Sequence, residues 1–467
     1  MSAFQHKNLS KFTALERKAV FGLSAIYGLR MFGLFLILPV LAIYADELEG
    51  STPFLVGLTL GAYGLAQAVL QIPFGLLSDR YGRKKIITVG LIIFMIGSLI
   101  AAVSDNIYWM IIGRTLQGSG AIAAAVLALT ADLTRENQRA KAMAIIGISI
   151  GSSFMLAFIV ASPLVKLLGF SGLFYVTALL AIFAIFMLWM YVPNQVARPS
   201  RDVKFITHDF SSLLCHEHLM RLNIGIFVLH CVLTAMFVVV PLLLTDNAGL
   251  DSEQHWKIYI PVMVLSVALM APLVVMSSNK QSLMRVFLSA ICILMCAQVF
   301  FFISKLNNPY SIAICLLVFF VGFNTLEAML PSIVTRVAPA AMKGTAVGIY
   351  NTFQFSGVFI GGLLGGYLMG KGGYQAVFVL CGLLLMLWAL VVIFAPRFAL
   401  YDSHILKLIE SEGLTDKELS QRYDILIGID GVRDVIIVDE ENVAYLKVDR
   451  TEFDEQTLES LSIVENM

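Results

Sequence analysis

Charged side chains are scarce in this chain. Only 14% of its 467 residues are Asp, Glu, Lys or Arg, against 58% that are hydrophobic, and so little charge cannot clothe a soluble protein of this size. The charges sum to zero, which argues against a partner held by bulk attraction, nucleic acid above all. Cysteine is sparse too. Cys231, Cys292, Cys296, Cys315 and Cys381 lie inside apolar runs and Cys215 at a loop end, so they read as small apolar side chains and not as a disulfide framework. No Walker-type glycine loop is present, which argues against an ATP-driven pump. The stretch "CHEH", residues 215–218, makes a poor metal site because adjacent side chains on a helix diverge. It reads as an interfacial segment. Neither a metal nor another cofactor is expected.

What the chain has in abundance is uncharged length. Stretches free of charge run over 50–78, 86–104, 142–165, 167–197, 222–245, 258–279, 286–304, 344–370 and 372–396. Three more, about 19–44, 106–131 and 306–335, are broken only by Arg30, Arg114 and Glu327. Each meets or approaches the ~20 residues a helix needs to cross hydrocarbon, which predicts twelve spans in a lipid bilayer. The first run is too long for a signal peptide and is expected to be retained.

Basic residues alternate between connections. Lys7, Lys11, Arg17 and Lys18, then Arg80, Arg83, Lys84 and Lys85, then Arg135, Arg139 and Lys141 fall on one side. Arg198, Arg201 and Lys204, then Lys280 and Arg285, then Arg336 and Lys343 follow them there. The other side offers Lys166, Lys257, Lys305, Lys371 and the acidic "ADELEGS". The positive-inside rule puts both termini in the cytoplasm. The expected organisation is two six-helix bundles, 1–197 and 219–397, a central cytoplasmic loop at 198–218, and a soluble tail at 398–467.

The loop "GLLSDRYGRKK", residues 75–85, is more than topogenic. The rule explains its cations but not Asp79, Gly75 or Gly82. Pairing Pro73 with Pro272 puts Asp79 opposite Ser278 and Arg83 opposite Ser282, so the charged motif survives in one half only. It resembles the G-x-L-a-D-r-x-G-r-k signature of the major facilitator superfamily. "IIGRTLQGSG", with Arg114, Gln117, Gly118 and Gly120, is similar to a fourth-helix motif of proton-coupled members. "GLRMFGLFLILPVLAIY", "FNTLEAMLPSIVTRVAP" and "GIYNTFQFSGVFIGG", with the tail, resemble the YajR-type efflux transporters.

The resemblance implies an all-α fold of two six-helix bundles and a conformational latch. In it Asp79 would sit near the start of the eleventh helix, around Ala341 to Thr345, and Arg83 would join it to Asp132. Gly75 and Gly82 would permit close approach and a tight turn. Arg114 and Gln117 would tune a proton site. The plain alternative for Arg114 is snorkelling to the interface.

Intramembrane charge is costly, at least ~2.5–3.5 kcal/mol per group. Arg30 is therefore expected to face a central cavity, attracting an anionic substrate or holding a carboxylate, unless it pairs with backbone carbonyls. Glu327, an acid well inside a span, is the favoured proton carrier, with a static partnership to Arg30 as the alternative. Gln67, Gln71, Asn324, Asn351 and Gln354 either line the cavity or bond between helices. His230 reads as structural.

In the tail, "TDKE" at 415–418 has capping-box spacing before a helix to about Ile427. "VIIV" and "VAYLKV" read as strands around "DEEN", and "EFDEQTLESL" reads as a second helix. That order resembles part of a ferredoxin-like domain, with no first strand evident in "FALYDSHILKLIESEG". The sequence therefore reads as a monomeric inner-membrane secondary transporter, not an enzyme, exchanging a small molecule for protons. A departure at "GISIGSSFMLAFIVASPL", where Ala161 and Ser162 precede Pro163, leaves a facilitator or importer open. A sensor signalling through the tail also stays open.

Overall fold

The computed structural model describes residues 12–45, 48–194, 213–304, 306–339, 342–396, 398, 402–408, 416–438, 443–449 and 452–453. The chain is helical through its apolar length. In order come α1 (Ala14–Phe35), α2 (Leu38–Ala45), α3 (Pro53–Tyr81), α4 (Arg83–Ala102), α5 (Ile107–Ser119), α6 (Ala123–Asp132) and α7 (Glu136–Met190). Then follow α8 (Glu217–Leu242), continued by a π turn at Leu243–Asn247, α9 (Trp256–Ser277), α10 (Lys280–Ile303), α11 (Pro309–Val337) and α12 (Lys343–Phe394).

Ten helical units among the described residues are long and apolar enough to cross a membrane. Two have double length: α7 has 55 residues and α12 has 52. At 1.5 Å per residue each would run to ~80 Å, more than twice the ~30 Å hydrocarbon core. Both break at a glycine of positive φ, Gly169 (φ 74°) and Gly373 (φ 63°), with non-helical backbone there. Glycine takes that conformation without the Cβ penalty. Each therefore divides into two membrane-length segments, and the twelve predicted spans are accounted for.

Local chemistry sets the ends. Thr13 and Glu16 form a reciprocal capping box at α1, Thr52 caps α3 with Pro53 in its first turn, and the Asn106 and Asn308 side chains cap α5 and α11. His216 of "CHEH" accepts from Leu219 N at the start of α8, a capping role. Prolines 73, 163, 241, 261, 272 and 331 sit inside helices, as membrane packing allows. Small residues bring α4 and α5 together: a Cβ on Gly97 would stand 2.5 Å from Gln117 N.

One core cluster gathers Leu23, Ile26, Phe94, Val126, Ile146 and Leu188 from the first half; a larger one is built mainly from α8 to α12. The outward faces carry exposed Ile92, Ile96, Leu179, Phe183, Leu265 and Leu387, a surface suited to lipid.

The tail holds β1 (Asp402–Lys407), α13 (Asp416–Ile427), β2 (Val432–Val438) and β3 (Val443–Val448), in an antiparallel sheet of order β1-β3-β2. Strand β1 lies in the segment that carries no strand signal of its own. "DSHILK" has little β-branched content, and its pairing with β3 decides its state. Thr415, "DEEN" and most of the expected last helix fall outside the described residues. Lys447 Nζ donates to the carbonyls of Arg336, at 3.1 Å, and of Ala338, capping the end of α11.

Candidate functional site

Arg83 is the hub of the charged loop. Its Nη1 pairs with Asp79 one turn away and donates to Ser78 Oγ at 2.7 Å, while Nε reaches Asp132 Oδ2 at 3.2 Å. One guanidinium thereby ties α3, α4 and α6 together. Gly82 (φ 98°) makes the turn between α3 and α4, and Gly75 packs on Ala124 of α6, its Cβ position 3.3 Å from that methyl. Asp79 itself is 52% exposed. Of its expected partners at the start of α12, Ala341 lies outside the described residues. Two neighbouring contacts extend the cluster. Buried Glu16 accepts from Arg135 N, Nε and Nη2 at 2.9, 2.8 and 3.0 Å. Lys84 donates to Val192 O and Asn194 Oδ1 at 2.6 and 2.9 Å.

Deeper in the first half sit two enclosed cations. Arg30 and Arg114 are each 1% exposed, so Arg114 does not snorkel and Arg30 does not open onto a cavity in this conformation. Arg30 donates to Gln67 Oε1 at 2.8 Å and Arg114 to Gln117 Oε1 at 2.6 Å, with Gln117 in turn donating to Ser98 Oγ at 2.8 Å. Next in the motif comes Gly118, whose Cβ would stand 2.2 Å from Tyr63 O; α5 can press on α3 only because that atom is missing.

In the second half Glu327 sits beside Gln354 and His230. Gln354 Nε2 lies 3.4 Å from Glu327 Oε1 and 2.8 Å from His230 Nε2, and His230 Nε2 is 3.9 Å from Glu327 Oε2. No motif points to the proximity of His230. Arg30 bonds Gln67 instead of Glu327, so the static Arg30–Glu327 pair is not made here. The Glu327 side chain is 36% exposed, and Asn324, Asn351 and Gln354 are half-buried, whereas Gln67 and Gln71 are buried. Asn324 donates to Ser266 Oγ at 3.1 Å, and Gln71 Nε2 crosses between halves to Gly348 O at 3.3 Å.

The two halves close at one end. Near the acidic connections, Cβ atoms on Gly57, Gly61 and Gly64 of α3 would stand 2.2, 2.7 and 2.6 Å from the carbonyls of Gly362, Phe359 and Phe355 of α12. Tyr44 Oη lies 3.0 Å from Ser252 Oγ, and Lys166 Nζ 2.9 Å from Glu253 Oε2. Phe158 of α7 meets Phe237 of α8 and Tyr259 of α9 at 5.0 and 5.4 Å. Toward the basic connections the packing between the halves thins among the described residues: Cβ atoms on Gly344 and Gly348 would meet nothing within 4 Å and one on Gly75 would meet only its own half, with the Gln71–Gly348 bond still crossing there.

Comparison with known proteins fits this architecture. The Major Facilitator Superfamily profile matches residues 23–362. The chain belongs to that superfamily. It is 40% identical over 440 residues to the inner membrane transport protein YajR of Escherichia coli K12, covering 94% of this chain and 96% of the relative. It is 26% identical to the quinolone resistance protein NorA of Staphylococcus aureus, over 72% and 86% of the two chains. Among solved structures, a bacterial homologue of the human lysosomal transporter Spinster matches with a TM-score of 0.69 at 14% identity, over 83% and 98% of the chains. A D-xylose–proton symporter matches with 0.65 at 14%, over 81% and 98%.

As a major facilitator superfamily member the chain is a secondary transporter, not an enzyme. Its site draws on residues no motif announced: Tyr63, His230, Glu16 and the Lys166–Glu253 pair. The glycine seam between α3 and α12, by contrast, had a signal. "GLTLGAYG", residues 57–64, repeats glycine at i, i+4 and i+7, the spacing that lets two helices touch backbone to backbone.

Proposed function

We propose that this transporter exports a small molecule across the inner membrane in exchange for protons. Its halves, residues 1–197 and 219–397, rock about a central site, with both termini and a ferredoxin-like tail on the cytoplasmic side. The observation that carries the reading is Glu327: a half-buried acid whose Oε1 meets the Gln354 amide and whose Oε2 lies 3.9 Å from His230 Nε2, with no lysine or arginine ion pair to it among the described residues, in a protein whose halves touch backbone to backbone at one end and leave open space beside Gly344 and Gly348 at the other. A carboxyl without a fixed cation can change charge as access alternates, because no ion pair must be broken to do so. Membrane topology supports the parted end as the cytoplasmic one, since the basic loops cluster there. Similarity to an inner membrane transport protein supports the location, and similarity to a quinolone resistance protein fits a small-molecule substrate. Substrate would enter beside Asn324, Asn351 and Gln354.

The test is purified protein in sealed liposomes with a pH-sensitive dye inside and a panel of amphipathic compounds outside. Compound-dependent proton movement is expected, and a chain shortened by residues 400–467 is expected to keep it. Compound flux without proton movement would replace the reading by a facilitator. Loss of all flux with the tail would favour the sensor.

Asp79 is proposed as a latch that acts when the basic end closes and its carboxylate meets the N-terminus of α12. Such a charge–dipole contact contributes ~0.3–2 kcal/mol, or about 2- to 30-fold in the balance of conformers. Asp79→Asn is therefore expected to raise maleimide labelling at the cytoplasmic end by a factor in that range, with normal membrane insertion. Labelling and transport unchanged would remove the latch.

A further inference from the structure

Arg30 on α1 and Arg114 on α5 are buried guanidinium groups in one half. Neither has a carboxylate within ion-pair distance among the described residues. Each has a neutral acceptor in Gln67 or Gln117, yet Arg30 Nε and Nη1 and Arg114 Nε have no hydrogen-bond partner. Buried charges left this way are costly unless something else compensates them.

They share the ring of Tyr63. The guanidinium carbons of Arg30 and Arg114 lie 5.9 and 5.3 Å from its centroid, where the negative face of an aromatic quadrupole attracts cations. Phe94 of α4 offers Arg30 a second ring at 5.5 Å. The Tyr63 hydroxyl is 3.5 Å from Gln67 Oε1, at the limit of a hydrogen bond, so the ring makes the effective contact.

The same ring bears edge-on against Phe355 of α12, with centroids 6.1 Å apart and planes at 65°. Phe355 follows Gln354, the amide that bonds Glu327 and approaches His230 of α8. A line of contacts thus runs from Ser98, Gln117 and Arg114 through Tyr63 to Phe355, the chain neighbour of the Gln354 that bonds Glu327.

We propose that Tyr63 is a positioning residue for proton coupling: its ring holds Arg30 and Arg114 in place of a counter-ion and transmits their position, through Phe355, to the Gln354 amide at Glu327. The proposal rests on Glu327 as the proton carrier. It predicts that the ring matters and the hydroxyl does not, and that the effect reaches the second half.

The test uses the full chain in liposomes, its native cysteines replaced by alanine, with Gly344→Cys as reporter because a Cβ there meets nothing within 4 Å. Labelling by a water-soluble maleimide is followed from acid to alkaline pH. Tyr63→Phe is expected to keep the wild-type midpoint, and Tyr63→Leu to move it by about one pH unit, tenfold in proton concentration. In a Glu327→Gln background the Tyr63 variants are expected to label alike. A Tyr63→Leu profile matching wild type overturns the proposal, as does a Tyr63→Phe profile matching Tyr63→Leu.

A second measurement separates this from the proton-carrier reading. In a melting cycle, Tyr63→Leu and Arg114→Met are expected to be non-additive, since they remove the two sides of one contact. Additive losses overturn the ring's hold on Arg114. A wild-type profile flat in pH overturns the coupling role of Tyr63 together with the carrier reading, while a non-additive cycle would still fix the ring as the arginines' partner.

Discussion

Gly57→Leu is expected to stop the transport cycle by making the end seen closed here unable to close. A Cβ at Gly57 would stand 2.2 Å from Gly362 O and 2.7 Å from Gly366 Cα. Both are backbone atoms of another helix and cannot rotate aside. Overpacking a soft core costs ~1–3 kcal/mol, but here the helices themselves must separate. Reversing a two-state balance from 1:99 to 99:1 takes ~5.5 kcal/mol, and a side chain driven into backbone atoms of α12 that cannot rotate aside forces the two helices apart where they touch. The protein is therefore expected to leave this conformation and not to tolerate the strain.

The readout is the ion pair between Lys166 and Glu253, 2.9 Å apart at the same end. With both replaced by cysteine, whose short side chains cannot be assumed to meet in a direct disulfide, a bifunctional thiol-reactive cross-linker that spans the length of the former ion pair should join them efficiently in the parent and at least about tenfold less with Gly57→Leu. Gly57→Ala should act in the same direction, because the first carbon already collides. Gly344→Ala, at a position with nothing within 4 Å, is the control expected to be neutral. Equal cross-linking in parent and Gly57→Leu would show that the seam does not set the conformation.

The contrast between that seam and the charged loop shows what a linear sequence displays. Charge is conspicuous against an apolar background, so Asp79, Arg83 and Asp132 stand out, and the structure brings them together. Arg114 and Gln117 share one helix face at i and i+3, a local relation, and they bond. The double-length helices divide at Gly169 and Gly373, within three residues of Lys166 and Lys371, the charges that separate their uncharged runs.

Partner choice between distant helices is different. Gly57 has no property that points to Gly362, and Glu327 none that selects Gln354 and His230 over Arg30. Tyr63 is invisible in the sequence because an aromatic residue in a span is ordinary; only the placement of two arginines around it gives it a role. Strand β1 escapes for a related reason, since its state is settled by β3, about 40 residues later.

Glu327→Gln is the other change with a large expected effect, and its neighbours decide what it leaves intact. The amide is nearly isosteric and can still occupy the space beside Gln354 and His230. Packing and insertion should therefore survive, with loss confined to proton exchange. Positioned proton transfer contributes ~10²–10⁴-fold in other settings, and compound-driven proton flux is expected to fall by at least about a hundredfold. Binding of the same compound should change by less than about tenfold, because the neutral form of the acid and the amide present similar surfaces. Equilibrium exchange of labelled for unlabelled compound should persist, since it needs no net proton movement. His230→Gln separates the two groups: if the carrier is Glu327 alone, that variant keeps proton flux, whereas loss equal to that of Glu327→Gln would assign the proton to the pair. Undiminished flux in Glu327→Gln would exclude the carboxyl as carrier and leave the arginines of the first half as the place to look, through groups that move a proton without holding it at Glu327.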